Sequence, residues 1–256
     1  MLTSRLQSVF KWIFLISLVT TTITYFQKDR LPPADFYDTD LLAEPRQSKT
    51  HEQPFETTAS DQTYSVKPFF DYELHGVVVS YHDSDSFTDI THHRRWQDFL
   101  NVRDLCVVWG DNIKNGVYRE MDFSNDSWTC WAYWDNAEIA SRFSMPQLSN
   151  NHLLADDDEI KRNLMAAQAG DHIHLKGVLA SYANPGNGFR RGTSTVRTDT
   201  GNGACETIYL QEFEILNKAN SGSRRLYAFA KWLTLISLLG FCIMFVASPV
   251  RKSKLG

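Results

Sequence analysis

Two long apolar stretches, one near each end of the chain, flank a polar middle. Residues 12–26 read WIFLISLVTTTITYF and residues 232–250 read WLTLISLLGFCIMFVASPV; neither contains a charged residue. A helix that crosses a bilayer needs about 20 apolar residues, which the second stretch provides and the first provides when its flanks are included. We predict an N-terminal anchor over 1–26 and a C-terminal transmembrane helix over 226–250, followed by a basic tail over 251–256.

Charge also separates the ends from the middle. The chain has 26 Lys and Arg and 30 Asp and Glu, and every acidic residue lies within 27–225, which carries a net charge of −10. Such a charge repels phosphate backbones, so no nucleic-acid partner is expected.

A cleaved signal peptide is the alternative for the first segment, but no small-residue cleavage site follows it. Lys and Arg flank the spans about equally on both sides, so the positive-inside rule barely decides orientation. We place the tails inside and the domain in the periplasm, at a bacterial inner membrane.

The middle divides into a tether and a folded domain. Residues 27–68 are rich in Pro, Thr, Ser and Gln without sustained periodicity, which predicts a flexible tether. The soluble domain is predicted over 69–217. Its fold class is mainly β with some helix (α+β), and a small OB-like β-barrel with one or two helices is the preferred architecture. Patterning predicts strands at 72–82, 104–110, 127–134, 171–182 and 206–216, and helices at 93–102 and 155–170.

Several segments resemble known proteins. The segment AGDHIHLKGVL, at 169–179, resembles the unit of OB-fold proteins in which a Gly-Asp turn precedes an alternating strand with a central Gly. The blocks NVRDLCVVWG, LSNNHLL and RRGTSTVRTDTGNGACETIYLQEF resemble those of an uncharacterised bacterial family of membrane-associated proteins, over about residues 70–216. The resemblance implies no catalytic residue. The long polar insert between Tyr182 and Cys205 departs from the OB pattern.

The densest polar stretch is NPGNGFRRGTSTVRTDTGNGACE, residues 184–206. Glycine-rich backbone beside arginines can present N–H groups and guanidinium forks to a phosphate or carboxylate. The predicted ligand-binding residues are Arg190, Arg191, Thr193, Arg197 and Asp199. The alternative is a hairpin whose arginines pair with surface acids. Neither the G-x-x-x-x-G-K-[ST] nor the G-x-G-x-x-G spacing occurs, so no cofactor is predicted.

Histidines and tryptophans offer further candidates. His172 and His174 share one face of a predicted strand, but without H-E-x-x-H spacing solvated histidines are the preferred interpretation, and no metal is predicted. No G-x-S-x-G elbow or Cys–His signature occurs, so no catalytic residue is predicted. Alternation is expected to pack at least one face of the Trp-rich strand into the core. The remaining candidates are His82, Asp83, Asp85, Asp89, His92 and His93 for metal, and Trp128, Trp131 and Trp134 for stacking on a ligand.

Four cysteines bear on the compartment. Cys242 lies in the second span, whereas Cys106, Cys130 and Cys205 lie in the domain, so an oxidised domain holds one disulfide and one free thiol. Cys130 and Cys205 are the predicted pair, because both fall on presumed core strands. Apolar neighbours favour Cys106 as an inert core residue. A cytoplasmic domain would instead hold three free thiols.

These features predict a two-pass membrane protein that displays a binding or scaffold module, with the bilayer and a protein of a membrane complex as its partners. Two alternatives stay open. One is an envelope enzyme that acts on an anionic substrate through the Arg190–Asp199 loop. The other is a cytoplasmic-facing sensor or effector that signals through its two helices. The absence of catalytic sequence motifs favours the binding module, and enzyme status is left uncertain.

Overall fold

The computed structural model describes residues 2–84, 91–196, 199 and 205–247. The chain divides into a helical pair, drawn from residues up to 30 and from 220 onward, and a domain, Leu31–Ala219. The helices are α1 (Leu2–Tyr25), α2 (Asp111–Lys114), α3 (Ala137–Arg142), α4 (Asp158–Ala166) and α5 (Ser221–Ala247). The strands are β1 (Arg46–Lys49), β2 (Phe55–Ala59), β3 (Gln62–Asp83), β4 (Asn101–Val108), β5 (Asp122–Asn125), β6 (Cys130–Tyr133), β7 (Leu148–Leu154), β8 (His172–Asn184), β9 (Phe189–Arg191) and β10 (Glu206–Asn217).

Helices α1 and α5 pack against each other through small and hydroxyl-bearing residues. The hydroxyl of Thr234 donates to Ser17 at 3.0 Å and lies 3.3 Å from the hydroxyl of Thr21. Small residues let helix backbones approach closely in a bilayer, and hydroxyls can hydrogen-bond between helices there. Both helices are long and apolar enough to cross a membrane, over Arg5–Tyr25 and Ser221–Ala247. The prediction of two helices with the length and apolar composition of membrane spans is thereby confirmed. The predicted basic tail lies outside the described residues.

Five strands of the domain close into a ring. Strand β3 pairs antiparallel with β4 and with β8, β4 pairs antiparallel with β7, β7 pairs parallel with β10, and β10 pairs antiparallel with β8. The mixed, mainly sheet fold class is thereby confirmed. Each ring strand turns alternate side chains inward to the main core, among them Leu74, Leu105, Leu153, Ile173 and Ile208.

One glycine allows two ring strands to approach closely. A Cβ atom on Gly177 of β8 would lie 2.1 Å from the backbone oxygen of Tyr209 on β10. No side chain fits in that space, so glycine is required where the two strands meet. The central glycine noted in the sequence therefore has a steric role in the ring.

The predicted tether is wrong for residues 31–68, which belong to the folded domain. Leu42 is fully buried and its carbonyl accepts a hydrogen bond from the Gly110 amide at 2.9 Å. Strands β1 and β2 both pair with β3, and the turn between β2 and β3 places Ser60 and Asp61 at positive φ, as two-residue hairpins require. The apolar residues of this segment pack against elements that are distant in the chain. They therefore do not recur at the regular spacing of a helix or a strand, and the sequence pattern does not reveal them.

The local sequence explains the helix between β7 and β8. The Asp157 carboxylate caps α4 by accepting hydrogen bonds from the amides of Glu159 and Ile160 at 2.8 and 2.9 Å. Leu164 is fully buried against the main core. The helix predicted over 155–170 is thus confirmed with narrower bounds. The helix predicted over 93–102 is wrong in extent, because only a short π-helix forms, at Thr91–Trp96, and β4 begins at Asn101.

The disulfide joins Cys106 of β4 to Cys130 of β6, with a Cα–Cα distance of 5.7 Å. Cys205 is a free thiol, so the predicted Cys130–Cys205 pair is wrong. Sequence separation could not identify the pair, because the β5–β6 hairpin folds back over the outer face of β4. The bond attaches that hairpin to the ring.

Candidate functional site

A cleft of about 940 Å³ lies on the outer side of the ring, beside the β5–β6 hairpin. One wall is aromatic, and Trp128, Trp131 and Trp134 all line it with just under half of each surface exposed. The face of this segment that carries Cys130 and Ala132 packs against a core cluster, as expected, whereas none of the three Trp side chains is buried. The opposite wall is polar and consists of residues from β7, from the end of β9 and from the loop that leads to β10. The cleft thus offers apolar ring faces opposite a hydrogen-bonding surface.

Arg191, the last residue of β9, brings a positive charge into the cleft. Its guanidinium carbon lies 4.8 Å from the centre of the Trp128 ring, a cation–π contact. Within the described residues, both Nη atoms are buried and neither has a hydrogen-bond partner. A buried guanidinium with unused donors loses hydration without compensation, so it favours an anion that can accept from it.

One of the buried acids that interact with Arg191, Asp98, does not fully neutralise it. Burial raises the pKa of Asp98, and it does so despite a 2.5 Å hydrogen bond from the Tyr182 hydroxyl and the charge of Arg191. A raised pKa shifts Asp98 toward its neutral form. The positive charge of Arg191 is therefore only partly offset from this side.

The loop after β9 is fixed to the start of β10. Thr193 accepts a hydrogen bond from the Thr207 amide at 2.9 Å, and the Ser194 amide donates to the Cys205 carbonyl at 2.9 Å. The Ser194 hydroxyl donates to the Asp199 carboxylate at 2.5 Å. These bonds hold the loop in place and use the Thr193 hydroxyl for structure. Ser194 was not among the predicted site residues.

Three of the predicted ligand-binding residues line the cleft, namely Arg191, Thr193 and Asp199. Arg190 is exposed on β9 and does not line it. Arg197 lies outside the described residues. The predicted loop is therefore part of the site, but only Arg191 combines burial with unused donors.

The imidazole of His152 and the thiol of Cys205 line the cleft, and the buried carboxylate of Asp104 lies beside the imidazole. Asp104 of β4 lies opposite His152 of β7 in the register of the two strands, and Oδ1 of Asp104 is 2.8 Å from Nδ1 of His152. The Cys205 thiol adjoins His152 and contributes to raising the pKa of that imidazole. Asn101 supports the carboxylate by donating to its Oδ1 at 3.0 Å. This order of acid, imidazole and thiol is the arrangement that activates a cysteine nucleophile.

The amide of Asn150 completes the surroundings of the thiol. Its Nδ2 lies 3.5 Å from the Cys205 sulfur and also donates to the Trp128 carbonyl at 3.0 Å. The Cys205 thiol also donates to the Trp128 carbonyl, at 3.6 Å. Asn150 and Cys205 thus share one acceptor, which connects the thiol to the aromatic wall of the cleft.

Opposing effects set the charge of the Asp104–His152 pair. Burial of His152 lowers its pKa, but the charge of Asp104 and hydrogen bonds to Asp104 and Cys205 outweigh burial and raise the pKa to about 9. Burial likewise raises the pKa of Asp104, but the charge and hydrogen bond of His152 outweigh it, so the pKa of Asp104 is lowered. The pair is therefore ionic at neutral pH, and an imidazolium adjoins the Cys205 thiol.

Sequence reasoning missed Asp104, His152 and Cys205 as a group. They stand on β4, on β7 and just before β10, and only strand pairing brings them together. A weak signal was available: in LSNNHLL, Asn150 and His152 are two residues apart and share one face of the strand. Comparison with protein-family models, curated proteins and solved structures found no match to this chain.

The candidate cluster of histidines and acids at 82–93 does not form a metal site among the described residues. Asp83 forms an ion pair with Arg103, which also donates to backbone carbonyls of α4 and the following residue. Asp85 and Asp89 lie outside the described residues. His172 and His174 share the outer face of β8, as predicted.

Proposed function

We propose that the chain is a membrane-anchored binding module whose cleft takes a carboxylate- or phosphate-bearing ligand. The single observation that carries this proposal is the buried guanidinium of Arg191, which has no hydrogen-bond partner among the described residues and stacks on Trp128. An anion would satisfy the Nη donors, and the Trp rings would cover an apolar or sugar-like part of the ligand. The expected protein partner in a membrane complex stays a prediction.

The strand order supports an OB-type barrel as the scaffold for this cleft. The neighbours β8, β3, β4 and β7 follow the Greek-key order, in which a fourth strand returns beside the first, and β10 closes the ring. OB folds are five-stranded Greek-key barrels that bind ligands on the face of the second and third strands and by the loop between the fourth and fifth. The cleft occupies the corresponding place, on β7 and beside the loop between β8 and β10.

The disulfide supports an extracytoplasmic domain. Cys106 and Cys130 are joined, and such bonds persist in oxidising compartments such as the bacterial periplasm. A cytoplasmic domain would keep its thiols reduced. We therefore favour the periplasmic side over a cytoplasmic sensor or effector.

The binding proposal is tested with the full chain in detergent micelles. Glucuronate and inorganic phosphate are the probes and glucose is the neutral control; binding is followed by Trp fluorescence, because Trp128 contacts Arg191. Arg191→Gln should weaken anion binding by a factor of about 10 to 100, since a hydrogen bond to a charged group contributes about 1.5–3 kcal/mol. The matched control is Arg190→Gln, the exposed neighbour outside the cleft. Equal affinities of Arg191→Gln and the parent, or no response to either anion, would sink the proposal.

A second candidate function, thiol-dependent catalysis in the same cleft, is favoured by the Asp104–His152–Cys205 arrangement. An imidazole held by a carboxylate and placed beside a thiol is the arrangement that enzymes with a cysteine nucleophile use. The test is the rate of Cys205 alkylation by iodoacetamide as a function of pH, read by mass spectrometry of its peptide. His152→Gln should slow alkylation at pH 6–7 at least tenfold. If His152→Gln leaves both the alkylation rate and its dependence on pH unchanged, catalysis through Cys205 is refuted.

A further inference from the structure

A second group of chemically active side chains lies on the outer face of the β3–β8 ladder and shares no residue with the cleft. His75 of β3 and His174 of β8 are directly opposite in register, and their rings stack with centres 4.2 Å apart. Glu73 precedes His75 by two residues and so shares its face. Nε2 of His174 is 3.0 Å from Oε1 of Glu73, and Nε2 of His75 is 3.9 Å from the same oxygen.

The three ligand atoms converge on one point. All of them lie within 4.8 Å of one another. A tetrahedral ion with bonds of about 2.0–2.2 Å holds its ligands about 3.3 Å apart, so side-chain rotations without backbone movement close the difference. All three side chains are partly exposed, so an ion can reach them from water.

Unused nitrogen atoms surround this group. Within the described residues, Nδ1 of His75 and Nε2 of the almost fully buried His172 have no hydrogen-bond partner. His172 packs edge-on against the His75 ring at 6.3 Å. Buried polar atoms without partners are rare in folded proteins. Three histidines and a carboxylate on one face, two of them with unused buried nitrogens, indicate a site built for more than an internal hydrogen bond.

One neighbouring charge competes with a cation. Nη1 of Arg46 lies 3.3 Å from the second carboxylate oxygen of Glu73, but the Arg46 side chain is 86% exposed. An exposed pair of this kind is weak and its long side chain can leave. Arg46 therefore weakens cation binding without preventing it.

We propose that Glu73, His75 and His174 bind a divalent transition-metal ion, with zinc as the best fit. Imidazole nitrogens with one carboxylate are ligands that zinc accepts, and three protein ligands leave a fourth position for water or a substrate group. His172 would stand behind His75 and limit its rotation.

The test uses the tag-free full chain in detergent micelles after chelator treatment, with Cys205→Ser to remove the half-buried thiol of the cleft as a zinc ligand. Zinc chloride is titrated by calorimetry. The parent should bind one zinc ion, and His75→Gln and Glu73→Gln should each weaken binding at least tenfold. His51→Gln, an exposed histidine elsewhere, is the matched control and should change nothing. Arg46→Gln should strengthen binding, which a merely structural role for Glu73 would not produce.

Cobalt(II) gives a readout that does not depend on the variants. The parent should develop the visible absorption of four-coordinate cobalt with nitrogen and oxygen ligands, and zinc should displace it. The variants are compared only after circular dichroism shows the parental fold. Absence of zinc binding in the parent, or affinity unchanged in both His75→Gln and Glu73→Gln, overturns the proposal.

Discussion

The buried Asp104–His152 pair should make the stability of the domain depend on pH in a specific range. Because the pKa of His152 is raised from 6.5 to about 9 in the folded domain, protonation of His152 stabilises the folded state. This contribution is fully present below the unfolded pKa of 6.5 and is lost as pH rises through the folded pKa. At about 1.4 kcal/mol for each pKa unit, the contribution is about 3 kcal/mol at pH 5.5. About 2 kcal/mol remains at pH 7.5 and less than about 1 kcal/mol at pH 9.

The assay is urea unfolding of the full chain in detergent micelles at pH 5.5, 7.5 and 9, read by Trp fluorescence, since Trp109 is fully buried. His152→Gln removes the titrating group, and His51→Gln is the control on the surface. The free energy of unfolding of the parent should fall by about 3 kcal/mol relative to His152→Gln between the first and last pH. Parallel curves for the parent and His152→Gln would refute the assigned ionic pair.

Asp104 adds a limit on the acid side. Its pKa is lowered in the folded domain, chiefly because the charge and hydrogen bond of His152 outweigh burial. A lowered pKa contributes stability above the unfolded value, and that stability is lost as pH falls through the folded pKa. The pair should therefore stabilise the domain most between about pH 4 and pH 6.5.

Three further outcomes test other parts of the fold. Replacing Cys106 and Cys130 together by Ser should lower the free energy of unfolding by about 3 kcal/mol, because the disulfide closes a loop across a sequence separation of 24. The denaturant midpoints of the parent and the double variant, compared under non-reducing conditions, measure this loss. Leu42→Ala should lower the free energy of unfolding by about 2 to 5 kcal/mol because Leu42 is fully buried, whereas Leu41→Ala, at an exposed position, should lower it by less than about 1 kcal/mol. Equal melting temperatures of the two variants would indicate that this segment is a flexible tether and not part of the folded domain. Gly177→Ala should abolish folded protein, since its Cβ would meet the backbone of β10 at 2.1 Å, and near-ultraviolet circular dichroism would reveal any surviving fold.

The sequence pattern predicted those helices and strands whose formation depends least on contacts with residues elsewhere in the chain. Both apolar helices and α4 were found because length, charge and a helix cap are written in neighbouring residues. Four of the five ring strands, β3, β4, β8 and β10, were found from β-branched and alternating runs. Strand β7 was missed because LSNNHLL has polar residues at its centre, and Asn150, Asn151 and His152 are buried there only because other strands supply their partners.

The candidate site divides in the same way. The loop with Arg191, Thr193 and Asp199 was found from composition, because glycine and arginine mark an exposed polar loop. Asp104, His152 and Cys205 were not found as a group, since each looks ordinary in its own segment. Their role depends on the register of β4 with β7 and on the parallel pairing of β7 with β10, which are contacts between residues far apart in the chain.

The position of β10 in the chain has a consequence for biosynthesis. It is the last strand made, and before residues 206–217 emerge, β7 and β8 each present an open backbone edge where β10 will pair. Open edges in a nascent chain are templates for wrong pairing. Cys205 also reaches His152 only when β10 docks, so the cleft and the closed ring are completed in one event. Because α5 begins at Ser221, four residues after β10 ends, this late folding step takes place while the second long apolar helix is the next element to be synthesised.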